Sequence, residues 1–80
     1  MDEDEEHKLF KIIAEHTNRD ISEIKNNDRF NADYGLDSID AVGLLHAVNT
    51  KFKIKITEQE AATIETVTDM KNCIDKRLEL

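Results

Sequence analysis

The chain has 80 residues and a net charge of −7, with 36% charged and 39% hydrophobic side chains. That length makes one domain, residues 1–80, with a modest core and no room for a deep enzyme cleft. The acidity argues against nucleic-acid binding, and no run approaches the roughly 20 apolar residues of a membrane span or forms a secretory h-region. Proline is absent and glycine occurs only at Gly35 and Gly43, a scarcity of turn residues that favours helices over a β fold. The lone Cys73 leaves no intramolecular disulfide framework and fits a reducing compartment.

Five of the negative charges lie in Asp2, Glu3, Asp4, Glu5 and Glu6, where they complement the N-terminal end of a helix dipole. A first helix is expected over about 4–16, with Leu9, Ile12, Ile13 and His16 at helical spacing and Asn18 as its left-handed stop. Residues 19–36 read as a long connection, anchored by Ile21, Ile24, Phe30 and Leu36, with a short turn at Ser22-Glu23-Ile24 and turn chemistry at Asn26-Asn27-Asp28. The second helix is expected from Ser38 to about Lys51. On a wheel advancing about 100° per residue, Leu44, Val48, Ala41, Phe52 and Leu45 share one arc, the predicted core face. Ile39 and Val42 fall on another side with Gly43, His46, Asn49 and Thr50. Two accounts of that apolar pair stand side by side: packing against the long loop, or a contact patch for partner proteins.

Residues 51–56, Lys-Phe-Lys-Ile-Lys-Ile, alternate like a strand, but no second alternating run offers a pairing partner. An extended connection that pins Phe52, Ile54 or Ile56 into the core is expected instead. Thr57 and Glu60 form a capping-box pattern for a short helix over about 58–62, which Ile64 closes against the core. Thr66 caps the last helix. There Val67, Met70, Cys73, Ile74 and Leu78 repeat at helical steps up to the C-terminus, with Lys76 and Arg77 near its negative end. The expected fold is all-α: a small four-helix bundle of three main helices and one short one, with a long loop after the first.

None of His7, His16 and His46 has a metal-ligand spacing to Cys or acidic residues, and no metal site is expected. Cys73 sits at helical spacing as a small hydrophobe with no relay around it. Ser38 lacks the nucleophile elbow of hydrolases. Either it caps the second helix itself or Asp37 does so. In the second case its hydroxyl stands free in the first turn, near the positive end of the dipole, where a phosphate ester is accommodated.

The stretch Tyr34-Gly35-Leu36-Asp37-Ser38-Ile39-Asp40 resembles the Asp-Ser-Leu signature of acyl carrier proteins, with Ile39 in place of the common Leu. The resemblance extends over nearly the whole chain: Ile12-Ile13-Ala14-Glu15, the loop from Ile24 to Phe30, Phe52, Ile56, Thr57, Ile64 and Thr66-Val67 stand where the family has similar residues. It implies a carrier with no catalytic activity of its own. A phosphopantetheinyl transferase would attach 4'-phosphopantetheine from coenzyme A to Ser38, and the arm would carry an acyl group as a thioester between acyl-loading and acyl-transfer enzymes. The second helix would be the face those partners read, through Asp37, Ile39, Asp40, Val42, Gly43 and His46. A folded-back acyl chain would be lined by Leu44, Leu45, Ile56, Ala61 and Ile64. A monomer in the cytoplasm, where coenzyme A resides, is expected.

The departures from the family pattern bear on the pathway. Family members that serve fatty-acid synthesis carry several acidic residues along this helix and after it. Here residues 37–56 contain Asp37 and Asp40 but also Lys51, Lys53 and Lys55. Weak or no service to a housekeeping fatty-acid synthase follows, and a dedicated lipid, lipopolysaccharide or secondary-metabolite pathway is the leading expectation. A carrier of aminoacyl, peptidyl or D-alanyl groups, and an unmodified helical interaction module, are the alternatives. Gly43 costs the helix roughly 1 kcal/mol relative to alanine, either for close approach of a partner or arm, or as surface drift.

Overall fold

In the computed structural model, which describes residues 1–78, helix α1 runs Glu3–Thr17. Its acidic start closes a capping box: the Glu5 amide donates to Asp2 Oδ1 at 2.8 Å and the Asp2 amide to Glu5 Oε1 at 3.2 Å. Asn18, at φ 57°, ends it in the left-handed conformation, as its short amide side chain allows. Leu9, Ile12, Ile13 and Ala14 are buried. His16, expected on this face, is instead exposed, its Nδ1 3.1 Å from the Ile12 carbonyl. The buried place in that turn goes to the smaller Ala14.

The connection from α1 holds one turn of 3-10 helix, Ile21–Glu23. Its apolar anchors behave unequally: Ile24 and Phe30 are buried, while Ile21 and Leu36 are half-buried. Tyr34 is a buried anchor that spacing alone did not single out. Its hydroxyl donates to Asp28 Oδ2 at 2.6 Å, its ring meets Phe30 edge-on at 6.0 Å, and the Arg19 guanidinium lies 5.2 Å from its centroid. The loop is stitched to the start of the last helix by backbone bonds from Phe30 to Glu65 (3.0 Å), Val67 to Asp28 (3.1 Å) and Thr68 to Asn26 (3.0 Å). An isolated bridge, Arg29 with Thr66, marks this seam. These bonds satisfy backbone groups that a packed loop would otherwise leave orphaned.

Helix α2 spans Ser38–Phe52, α3 Glu58–Ala61 and α4 Val67–Leu78. The expected run of α4 to the C-terminus ends on residues 79–80, which lie outside the described residues. The segment after α2 forms no strand. Lys53 caps α2 in the left-handed region, at φ 55°, and Asn49 clamps the chain beyond it: its Nδ2 donates to the Ile56 carbonyl (3.0 Å) and its Oδ1 accepts from the Ile56 amide (2.9 Å). Ile56 is thereby buried, and Phe52 and Ile54 are half-buried. Only half of the expected box at α3 forms. Thr57 Oγ1 accepts from the Glu60 amide at 3.1 Å, but the Glu60 carboxylate accepts from the Thr57 hydroxyl (3.3 Å) and pairs with Arg77 instead of taking the Thr57 amide. The reciprocal box forms at α4: the Asp69 amide donates to Thr66 Oγ1 (3.1 Å) and Asp69 Oδ2 accepts from the Thr66 amide (3.2 Å).

Leu9 and Ile13 from α1, Leu44 and Val48 from α2, and Val67 and Ile74 from α4 are fully buried. Each contributes about 1.5–3 kcal/mol of apolar transfer. The bundle of four α-helices thus packs around one core and leaves the first turn of α2 at its surface. Among the described residues no helix is long and apolar enough to cross a membrane.

Candidate functional site

The site is built by the turn that delivers the chain into α2. Gly35 adopts φ 66°, a conformation that costs a side-chain-bearing residue about 1 kcal/mol or more. From there the Leu36 amide reaches back to the Phe30 carbonyl at 3.1 Å. Asp37 follows in extended conformation as the N-cap, its Oδ1 accepting from the Asp40 amide at 2.9 Å. Asp37 therefore does the capping, and the Ser38 hydroxyl stands outside the cap. Ser38 is exposed in the first turn of a 15-residue helix. The amides of that turn and the positive end of the dipole face the same space, an environment suited to a phosphate ester.

Around the serine the surface divides in two. On the outer side Ile39 is 81% exposed and Val42 48% exposed, and Asp37, Asp40, Gly43 and His46 are exposed as well. Packing of the Ile39–Val42 pair against the long loop does not occur. An apolar pair rimmed by two carboxylates stands open to solvent beside Ser38. A Cβ built on Gly43 would meet nothing within 4 Å, so no close contact within the chain requires glycine there.

On the inner side an apolar groove of about 210 Å³ runs from Ser38 past Ala41 and Leu45 toward Glu58, Ala61 and Ala62, with Val42 at the border of the two sides. Ala41, Leu45 and Ala61 also belong to a smaller cavity of about 60 Å³, completed by Phe30, Leu36, Leu44, Ile64 and Met70. Four of the residues expected at an acyl chain, Leu44, Leu45, Ala61 and Ile64, thus surround one space. Ile56 does not join them. The Asn49 clamp fixes it beyond the far end of α2, where it is buried in the core. Ala41, expected in the core, is exposed. The four-residue α3 is too short to cover the first turn of α2, so Ala41 lines the mouth of the groove. Phe30, Leu36 and Met70 were missed at the cavity. The periodicity of α2 carries no information about loop residues that fold over it.

Among the described residues no hydrogen-bonded His or carboxylate partner accompanies the serine. Cys73 is half-buried beneath α3, and burial pushes its thiol above the ordinary value against the opposing pull of Lys76. Among the described residues no group of three His, Cys, Asp or Glu side chains could hold a metal ion.

A helical bundle that displays an exposed serine, free of the capping bond, at a helix start beside an apolar groove has the geometry to accommodate a covalently attached arm. Comparison with known proteins agrees. The family model described as "Phosphopantetheine attachment site" matches residues 7–74. The acyl carrier protein of Rickettsia canadensis is 38% identical over 72 residues, covering 90% of this chain and 84% of that one. Those of Rickettsia typhi and Rickettsia bellii are 36% and 33% identical over 72 and 69 residues, covering 84% and 80% of their lengths. In three dimensions the apo doublet acyl carrier protein from prodigiosin biosynthesis superposes with a TM-score of 0.80 at 23% identity. It covers 94% of this chain, which spans 36% of that longer one, and it supports the fold.

The chain belongs to the acyl carrier protein family. Its cofactor is 4'-phosphopantetheine, its role is carriage and not catalysis, and its partners are a phosphopantetheinyl transferase and acyl-handling enzymes.

Proposed function

We propose that Ser38 is the attachment residue and that the chain presents an acyl group from it to the enzymes of a dedicated lipid, lipopolysaccharide or secondary-metabolite pathway. The observation that carries the assignment is the division of labour at the start of α2. Asp37 takes the capping bond, so the exposed Ser38 hydroxyl is left for a phosphodiester without cost to the helix. The residues present fit the arm: beside the serine lies a groove lined mainly by small and apolar side chains. When bound, 4'-phosphopantetheine supplies a terminal thiol that holds the acyl group as a thioester.

The chain's own residues do the rest. Asp37 and the first-turn amides orient the serine and its phosphate. Ala41 and Ala61, having only methyl side chains, keep the groove open toward the interior. Leu44, Leu45 and Ile64, with Phe30, Leu36 and Met70, exclude water from the cavity where the cargo lies. Asp37, Ile39, Asp40, Val42, Gly43 and His46 form the face that partners read, with two carboxylates to steer a basic surface and an apolar pair to bury against it. The dedicated pathway rests on the loss of acidity beyond Asp40. The chain works as a monomer in the cytoplasm on this reading.

Mass spectrometry after incubation with coenzyme A and a phosphopantetheinyl transferase tests the assignment. A mass gain of one phosphopantetheine is expected on the natural chain and none on Ser38→Ala, whose helix content is unchanged because the cap belongs to Asp37. Modification elsewhere, or loading of the Ser38→Ala chain, would sink it. Turnover by a ketosynthase of ordinary fatty-acid synthesis, equal to that with its own carrier, would remove the dedicated pathway.

A further inference from the structure

We infer that the end of α2 remote from Ser38 is a second recognition point of opposite charge: an acyl-handling enzyme served by this chain sets an acidic cluster against Lys51, Lys53 and Lys55. This rests on the carrier reading above and gives its partner a charge pattern.

All three lysines are exposed. Among the described residues none joins an ion pair; those formed are Met1 with Asp75, Glu6 with Lys71 and Glu60 with Arg77. No acidic residue occurs between Ala41 and Thr57, so this stretch carries its lysines without a carboxylate among them, although the chain as a whole carries −7. Compensation of the helix dipole accounts for Lys51, in the last turn. It does not account for Lys55, two residues past the cap, because the dipole's influence fades within a turn.

The cluster is held in place, and at a cost to the backbone. Asn49 fixes both backbone groups of Ile56, so the strand-like segment that carries Lys53 and Lys55 is pinned to α2. Lys53 itself occupies a left-handed position, φ 55°, where glycine or asparagine would be relaxed.

The geometry selects the class of partner. From Asp40 to Lys53 the helix rises about 20 Å, well beyond the roughly 8–10 Å over which salt screens exposed charges. The two poles therefore act separately. Val42, exposed and apolar, lies between them, and the exposed Ile39 lies within the acidic pole, between Asp37 and Asp40. A protein surface can offer a basic patch with an apolar contact beside it and an acidic patch farther along. An anionic membrane or a phosphate backbone would attract one pole and repel the other.

The test uses the full chain with Lys51, Lys53 and Lys55 all replaced by Gln, or all by Glu, and the acyl-loading and acyl-transfer enzymes of its own source. Phosphopantetheinylation of each chain is measured first and is expected to be unchanged, which keeps the carrier reading separate. With the enzyme that docks as described, KM rises from Lys to Gln to Glu, by about tenfold or more for the Glu chain with kcat little changed. The difference shrinks as salt is raised. Titration of the enzyme with unloaded chains gives the same order of affinities, so this inference is read even if Ser38 carries no arm. A KM that is flat or falls along the series with every one of these enzymes overturns the inference. So does binding of the natural chain, but not the Glu chain, to phosphatidylserine–phosphatidylcholine vesicles with no change in KM, which would assign the lysines to a membrane.

Discussion

At the scale of single residues, the loop before the site depends on polar groups that composition does not reveal. Tyr34 is the clearest case. Burial, and then the Asp28 carboxylate, push its hydroxyl well above the ordinary phenol value, so it stays a donor at any ordinary pH. Tyr34→Phe removes the 2.6 Å bond to Asp28 but leaves Asp28 its bond from the Lys25 amide at 3.1 Å. The expected loss is about 1–2 kcal/mol in urea unfolding, with Ser38 still loaded at the natural rate. Asp69 behaves differently. Backbone N–H groups of Glu65 and Thr66 donate to its carboxylate and hold it below the usual carboxylate range. Its folded pKa lies below the unfolded one, so its contribution is complete above the ordinary carboxylate pKa and is lost as pH falls through the folded value. Asp69→Asn should therefore have a lower urea midpoint than the natural chain at neutral pH, and the two midpoints should converge as pH falls below the ordinary carboxylate pKa and through the folded value. A gap that stays constant across that range would mean the charge contributes nothing. Neither role was legible in advance. A lone Tyr among Asn and Asp looks like any loop residue until its partner, six positions away, is brought beneath it.

At the scale of elements, α2 is less stable than its length would allow, and the deficit sits at two positions. Gly43 is exposed, with open space where its Cβ would stand, and Lys53 is left-handed. Gly43→Ala is expected to add about 0.5–1 kcal/mol to stability. If a partner helix approaches closely at this face, the same change raises KM for acyl transfer while leaving loading unchanged; an unchanged KM marks Gly43 as drift. Lys53→Gly should also stabilise, by about 1 kcal/mol, and at the same time weaken docking by removing one charge of the distal pole. Thermal melts and transfer kinetics on the two variants check both halves. The element boundaries were largely legible in the sequence, because caps are local chemistry: Asn18, Asp37, Thr57 and Thr66 each act within four residues of their partners. The core face of α2 was legible only in part. A wheel ranks angles, but it cannot tell that the element opposite is one turn long and leaves Ala41 uncovered. The strand-like alternation of residues 51–56 illustrates the same limit from the other side. Its apolar residues do turn inward, as alternation demands, yet a side-chain clamp from Asn49 takes the place of a ladder.

At the scale of the whole molecule, on the proposed reading, the small core and the carried group draw on the same apolar surface. The interior cavity holds about 60 Å³, less than half of the roughly 150 Å³ cavity that accepts a benzene ring in another small protein. It therefore has room for only about two or three carbons without movement of the helices. Each methylene buried there contributes about 0.8 kcal/mol, so loading with short acyl groups should raise the melting temperature stepwise and then level off. Ala61 stands where groove and cavity meet. Ala61→Leu should remove the stepwise rise while leaving Ser38 fully loadable, and Ile64→Ala should lower the stability of the unloaded chain and move the plateau to longer acyl groups. The measurement is a series of melts on chains loaded with acyl groups of increasing length, paired with the rate of thioester hydrolysis, which should fall over the same steps as water is excluded. A melting temperature that climbs steadily well past the plateau would show that α2 and α3 part to admit cargo. In that case the cavity sets only the first few carbons, and the length preference lies with the partner enzymes.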